Sequence, residues 1–348
     1  MKVRRKTVAA LAVTMTALIA VTGLAGAGSA APKQQPLLAA LISDVGRFND
    51  KSFNQSQLAG LNRAKAVLGI EILPLQSNSQ ADYIPNLTTA VRRGAGAIVC
   101  AGFLMAAECA AVANSNEGLQ REFAITDYPV QVPPFTKNKN VTGLTYAANE
   151  SGCLVGHMAA LFVKNQGGPQ VIGAVGGIKI PPVDIWIAGY TFCAKRANPK
   201  VKVLVAYSQD FVQSDKCKAQ AENLIARKAK VLFQVAGLCG LGTLKAADEA
   251  KIWGIGVDVD QYNLAKRVMT SGVKRVDRGV YNFIKAVNTG APIGGGNLYF
   301  DLDNGGMDLG KINPAVPKSI VASTFKLKQL IIDGKVKPPT SQIGRAHV

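Results

Sequence analysis

The run Asp44-Val45-Gly46-Arg47-Phe48-Asn49-Asp50-Lys51-Ser52-Phe53-Asn54 directly follows an apolar stretch over residues 37–42. A short, continuous apolar run is what a strand buried on both faces of a parallel sheet requires. Asp50 and Ser52 then offer N-cap oxygens to a helix that begins near Phe53. The stretch therefore reads as the loop between the first strand and first helix of an α/β domain. In open α/β sheets ligands collect at the carboxyl ends of strands, which is where this loop lies. Two carboxylates, two amides, a lysine and two phenylalanines fall within it. That mixture suits a ligand with a flat apolar face and hydroxyl or amide edges. A polar connection with no ligand is the plainer alternative.

Outward from this loop the chain alternates strand-like and helix-like runs at the spacing of βα units. The first series places strands at 37–42, 69–75, 97–100, 123–126 and 141–146, with helices near 53–68, 83–93 and 105–114. The second opens with a helix over 150–164 and continues with strands at 171–175, 201–206, 231–235 and 252–257. Two successive series predict an α/β protein of two doubly wound, Rossmann-like lobes. At 348 residues and 48% hydrophobic the chain can bury two cores, and 35 glycines suit many tight strand-to-helix turns. Nothing like a flexible linker divides the series, so the lobes should be joined by several crossing segments.

The pattern G-x-F-x-D-K-S-F-N, carried by Gly46, Phe48, Asp50, Lys51, Ser52, Phe53 and Asn54, resembles the opening motif of the basic membrane protein family of substrate-binding proteins. The best known members of that family bind purine nucleosides for ABC importers. The resemblance runs from about residue 37 to 337. It implies a class I periplasmic-binding-protein fold with hinge strands between the lobes, closing on its ligand. Lobe 1 is expected over 36–147 plus about 258–295, and lobe 2 over 148–257 plus about 296–335. It also implies a nucleoside ligand, an ABC permease as partner, a monomer, no cofactor and no catalysis.

Within the opening loop the implied ligand-binding residues are Asp44, Phe48, Asn49, Asp50, Lys51, Phe53 and Asn54. Asp127 ends the apolar run Phe123-Ala-Ile-Thr, where a cap or turn residue is the plainer reading and the family's matching Asp faces the base. Phe211 follows a second-series strand, and the family's nucleoside lies between one aromatic from each lobe, positions that Phe53 and Phe211 would fill. Gly237, in Gly237-Leu-Cys-Gly240-Leu-Gly242, permits close backbone approach before a helix, although relatives carry a Gly-Gly pair there. Ile255-Gly-Val-Asp258-Val-Asp-Gln261 resembles the family's I-G-V-D-x-D-Q, and Thr270-Ser-Gly-Val-Lys274 its T-S-x-x-K. A carboxylate and an ammonium, Asp258 and Lys274, suit adjacent ribose hydroxyls; a surface salt bridge is the alternative. Trp186 and Trp253 read as packing residues. Acids at Asp44, Asp127 and Asp258, with no arginine cluster, disfavour phosphorylated ligands.

Residues 1–31 read as a secretory signal peptide, with Lys2, Arg4, Arg5 and Lys6 before an apolar segment and cleavage near Ala30-Ala31. A retained membrane anchor competes, but Thr14, Thr16, Thr22 and Gly23 interrupt the run. The first cysteine is Cys100, so the lipidated cysteine of many relatives is absent and an exported, unlipidated protein is expected. The formal charge is +18, or 18 − 4 = +14 without the four cations named above. Lysines and arginines are scattered without interleaved aromatics, which argues against nucleic acid and for a solvated basic surface or one meeting an acidic envelope. Six cysteines in an exported chain invite disulfides, and pairing in sequence order is expected: Cys100 with Cys109, Cys153 with Cys193, Cys217 with Cys239. No spacing matches a C-x-x-C pair, and with only His157 and His347 a zinc site is not expected. An enzyme such as a nucleoside hydrolase would need a metal cluster, a nucleophile elbow or a histidine base near the acids, and none is legible. Residues 343–348 equal one translation frame of a common sequencing adapter and read as an artefact.

Overall fold

The apolar runs of both series become strands, the central ones buried on both faces and the outermost half-exposed, and the helices between them supply the cover. The computed structural model describes residues 35–341, so the expected signal peptide and the adapter-like tail lie outside it. The first series gives β1 (Leu38–Ile42), α1 (Phe53–Leu68), β2 (Glu71–Leu75), α2 (Tyr83–Arg92), β3 (Ala97–Cys100), α3 (Ala106–Ala113), β4 (Glu122–Thr126) and β5 (Val141–Tyr146). The second gives α4 (Ala148–Gln166), β6 (Val171–Gly176), α5 (Pro181–Ala197), β7 (Lys202–Tyr207), α6 (Ser214–Ala226), β8 (Val231–Val235), α7 (Gly240–Glu249), β9 (Trp253–Asp258) and β10 (Val268–Lys274). After them come α8 (Val276–Asn288), β11 (Asn297–Phe300), β12 (Met307–Leu309) and α9 (Lys318–Ile332).

The strands form two six-stranded sheets, ordered β2-β1-β3-β4-β5-β11 and β7-β6-β8-β9-β10-β12. All neighbours are parallel except β12, which runs antiparallel to β10. The first five strands of each sheet therefore follow the same winding, with one late strand added at the far edge. The chain passes from the first sheet to the second after β5, to α8 beside α1 after β10, and to the second sheet again after β11. These crossings differ from the boundaries expected near 258 and 296. β10 takes its hydrogen bonds from β9 and β12, so the chain stays in the second sheet until Lys274. β11 pairs with β5, from Asn297 opposite Gly143 to Phe300 opposite Tyr146, so the return falls after Phe300.

The helices pack closely where small residues allow it. A Cβ placed on Gly152 or Gly156 of α4 would strike the backbone carbonyls of Trp186 and Tyr190 in α5, and one on Gly189 would strike that of Asn149. Cys153 and Cys193 tie the same two helices, Cys100–Cys109 joins the end of β3 to α3, and Cys217–Cys239 joins α6 to the turn before α7. The pairing is the one expected in sequence order. Among the described residues no helix is long and apolar enough to cross a membrane.

Candidate functional site

Parallel strands aim their carboxyl ends at a common side, and here those ends deliver the polar residues. Asp44 lies just beyond β1, Asp127 just beyond β4, Gly237 just beyond β8, and Asp258 and Lys274 are the last residues of β9 and β10. Asp127 and Asp258 occupy matching places in the two windings, each at the end of a fourth strand. Both adopt φ of +63°, a left-handed conformation that among side-chain-bearing residues favours Asp and Asn. Gly237 is also left-handed, at φ +55°, and a Cβ there would lie 3.5 Å from Phe211 O.

The loop after β1 is held by its own polar groups. Asn54 Nδ2 donates to Asp44 Oδ1 at 2.7 Å and to Asp50 Oδ2 at 3.1 Å, while its Oδ1 accepts from the Asp44 amide. Gly46 N–H donates to Asp44 Oδ1 at 2.7 Å. Asp50 accepts from the amides of Ser52, Asn54 and Gln55, capping α1 with both carboxylate oxygens. Asp50 and Asn54 therefore reach the cavity with their hydrogen-bonding capacity largely spent on the loop. Ser52, expected as a cap, instead donates its hydroxyl to Asp258 Oδ2 at 2.7 Å, linking the two halves. Gln261 Nε2 makes a second link, to Lys51 O at 3.0 Å.

Lys274 is the third link and the electrostatic centre. Its Nζ lies 2.7 Å from Asp127 Oδ2 and 3.7 Å from Asp258 Oδ1, in a position 3% exposed. The same ammonium stands 4.7 Å from the centre of the Phe53 ring. Burial pulls its pKa down, but Asp127 and Asp258 more than offset that and hold it above the ordinary value. Burial pushes Asp127 up against the opposing pull of Lys274. Asp44, without a cation of its own, is pushed to about 7 by burial, with the Asn54 and Gly46 hydrogen bonds only partly compensating.

A cavity of about 580 Å³, counted with its open mouth, lies between these groups. Of the residues expected at the site, it is lined by Asp44, Asp50, Phe53, Asn54, Asp127, Phe211, Gly237, Asp258 and Lys274. Phe53 enters from the first lobe and Phe211 from the second. Phe48, Asn49 and Lys51 do not line it. Phe48 packs against the core and its amide donates to Gln76, whereas Asn49 and Lys51 are exposed on the loop's outer side. The structure adds apolar lining that the sequence reading missed, chiefly Phe103, Leu104, Ile180, Val183 and Trp186. Trp186 also packs edge-on against Phe233, so the packing role expected for it is only half its place.

Oδ2 of Asp44 and Oδ1 of Asp127, on two residues that line this space, accept no hydrogen bond from the described residues. Among the described residues the only lysine on the cavity wall, Lys274, is already engaged by two carboxylates. The site therefore offers acceptors to N–H and O–H donors, and aromatic and aliphatic surface to a flat apolar body. Among the described residues no group of three or more histidine, cysteine or acidic side chains converges to hold a metal ion.

Comparison with known proteins places this geometry in a family. The chain is 32% identical over 360 residues to the ABC transporter nucleoside-binding protein BmpA of Lactococcus lactis, covering 95% of this chain and 98% of that one. It is 31% identical over 322 residues to the CD4+ T-cell-stimulating antigen of Listeria monocytogenes, covering 86% and 87%. A solute-binding protein of an ABC transporter system from Aeropyrum pernix superposes with a TM-score of 0.78 at 26% identity, covering 89% of this chain and 95% of that one. The Bmp family model, described as ABC transporter substrate-binding protein PnrA-like, matches residues 38–342, and the chain belongs to that family.

Proposed function

We propose that the cleft captures a nucleoside, most readily a purine nucleoside. ABC substrate-binding proteins act outside the cytoplasm and pass a small molecule to a membrane permease. The observation that carries it is the combination of Phe53 and Phe211 on one cavity wall each with unfilled acceptor oxygens on Asp44 and Asp127. A base between the rings gains stacking and desolvation, and its N–H groups meet Asp127. Asp258 and Lys274 suit the ribose hydroxyls. The name of the Lactococcus relative supports the same ligand class. A phosphate would face several carboxylates and no free cation on the wall, so nucleotides should be rejected. In this reading the protein is an exported monomer, cleaved after residues 1–31, that holds its ligand without altering it.

Isothermal titration of ligand-stripped protein with guanosine, adenosine, inosine, cytidine, ribose and a nucleoside monophosphate tests the proposal. A nucleoside should bind, with ribose silent and the monophosphate much weaker. Ribose binding as well as any nucleoside would replace the reading with a sugar site.

A further inference from the structure

The positive charge of the chain is not evenly spread. Residues 35–147 and 275–301, which build the first sheet and its cover, carry 12 lysines and arginines against 10 aspartates and glutamates. Residues 148–274 and 302–341, which build the second, carry 22 against 12. The halves thus hold +2 and +10.

Within the second half the excess gathers at the amino-terminal edge of the sheet, opposite the cleft. The backbone ladder sets the row: Lys202 N–H donates to Gln170 O, Lys230 N–H to Val171 O, Trp253 N–H to Lys230 O, and Gly254 N–H to Arg267 O. Neighbouring strands lie about 4.8 Å apart, so Lys202, Lys230 and Arg267 stand along one rim. The turns entering these strands add to it. Lys164 lies at the end of α4, Lys195, Arg196 and Lys200 lead into β7, Arg227 and Lys228 into β8, and Lys251 and Lys266 into β9 and β10. A cavity lined by Gln166, Pro169, Lys230, Lys251 and Trp253 shows that the end of α4 and the turns before β8 and β9 meet. All of these cations except Arg267 are exposed, and among the described residues only Arg267 is ion-paired, to Asp248 at 3.4 Å.

We infer that this rim is an electrostatic docking surface for an anionic phospholipid bilayer, holding the protein by the far pole of its second lobe. A broad cluster dominated by lysine suits diffuse headgroup charge rather than bidentate reading of a defined site. It does not suit nucleic acid: the rim's large aromatic, Trp253, is half-buried and edge-on to Phe162 at 5.7 Å, leaving no stacking platform. Because the strands' other ends carry Asp258 and Lys274, docking here leaves the mouth of the cleft free.

The test is co-sedimentation of the protein with vesicles of phosphatidylcholine, alone or with about 30% phosphatidylglycerol, from about 0.05 to about 0.5 M NaCl. Binding should require the anionic lipid and fade with salt. A Lys195→Glu/Lys200→Glu/Lys202→Glu/Lys230→Glu variant should partition at least tenfold more weakly. A control with the same change of charge on the first lobe, Lys65→Glu/Arg92→Glu/Lys137→Glu/Lys139→Glu, should stay within about twofold of the parent. Equal losses in both variants would show that net charge alone acts and would overturn the assignment, as would no binding to anionic vesicles or tighter, rim-dependent binding to duplex DNA. Thermal unfolding and nucleoside titration of both variants, expected unchanged, separate this outcome from misfolding and from failure of the cleft reading.

Discussion

Asp44 shows what burial does to a single carboxyl. With its pKa raised from 3.8 to about 7, the folded state holds a proton that the unfolded chain releases near pH 4. The unfolded state therefore binds fewer protons across that window, and stability falls as pH rises from about 4 to about 7, by at most about 4 kcal/mol from this group. Asp44→Asn keeps the neighbouring hydrogen bonds in shape and removes the titration. Its melting temperature should exceed that of the parent at pH 8 and approach it at pH 5. A gap independent of pH would mean that Asp44 does not titrate in this range. At the cavity walls, Phe53→Ala and Phe211→Ala should each weaken nucleoside binding by about 1–3 kcal/mol in titration calorimetry below the melting temperature of each variant. Asp44, Asp127 and Asp258 were legible because they break an apolar strand pattern at its carboxyl end, and Phe53 because it stands in the family-like motif of the first loop. Trp186 and Phe103 were not, because an apolar side chain in a helix or turn looks the same whether it faces the core or a cavity. Asn49 and Lys51 were over-read for a related cause: a motif gives the loop, and only its fold says which side chains turn inward.

Helices α4 and α5 carry the most exacting element-level contact. Gly189→Ala puts a methyl group against the backbone carbonyl of Asn149, which no side-chain rotation relieves, and should cost roughly 1–3 kcal/mol in chemical denaturation. The disulfide between these helices closes a separation of 40 residues, against 9 for Cys100–Cys109. On loop-closure entropy its removal should cost about 4 kcal/mol, and that of the shorter bridge about 2.5 kcal/mol. Paired Cys→Ala variants compared by denaturant midpoint check the order, and the reverse order would locate the stabilisation in native packing instead. The early elements were readable because each apolar run is bounded by polar or glycine turns. β11 and β12 were not, since strands of four and three residues at sheet edges carry too little pattern to stand out.

At the scale of the whole molecule, side chains of three described residues link the halves at the cleft: Ser52 to Asp258 and Val257 O, Gln261 to Lys51 and Lys274 to Asp127. Lys274→Ala leaves Asp127 and Asp258 facing each other without their shared cation, turning attraction between the lobes into repulsion. Small-angle scattering of the ligand-free variant should give a larger radius of gyration than the parent, and nucleoside affinity should drop more than tenfold. An unchanged radius would assign closure to the other two links. Two lobes were evident in the sequence because the βα alternation runs through twice. The points of crossing were not, because membership of a sheet is decided by hydrogen-bond partners far along the chain, as with β11 and β5.

The shared winding of the two sheets bears on how a ligand can sit. The two halves repeat one winding, and Asp127 and Asp258 lie at equivalent points in it. A perfectly symmetric cleft would accept any guest in two opposite senses and recognise neither end. Here the degeneracy is broken from both sides: Lys274 comes from the second half, and the Asp44-Asn54 loop from the first. The guest's orientation is thus written in the departures from symmetry, and an asymmetric molecule is the kind such a cleft can read.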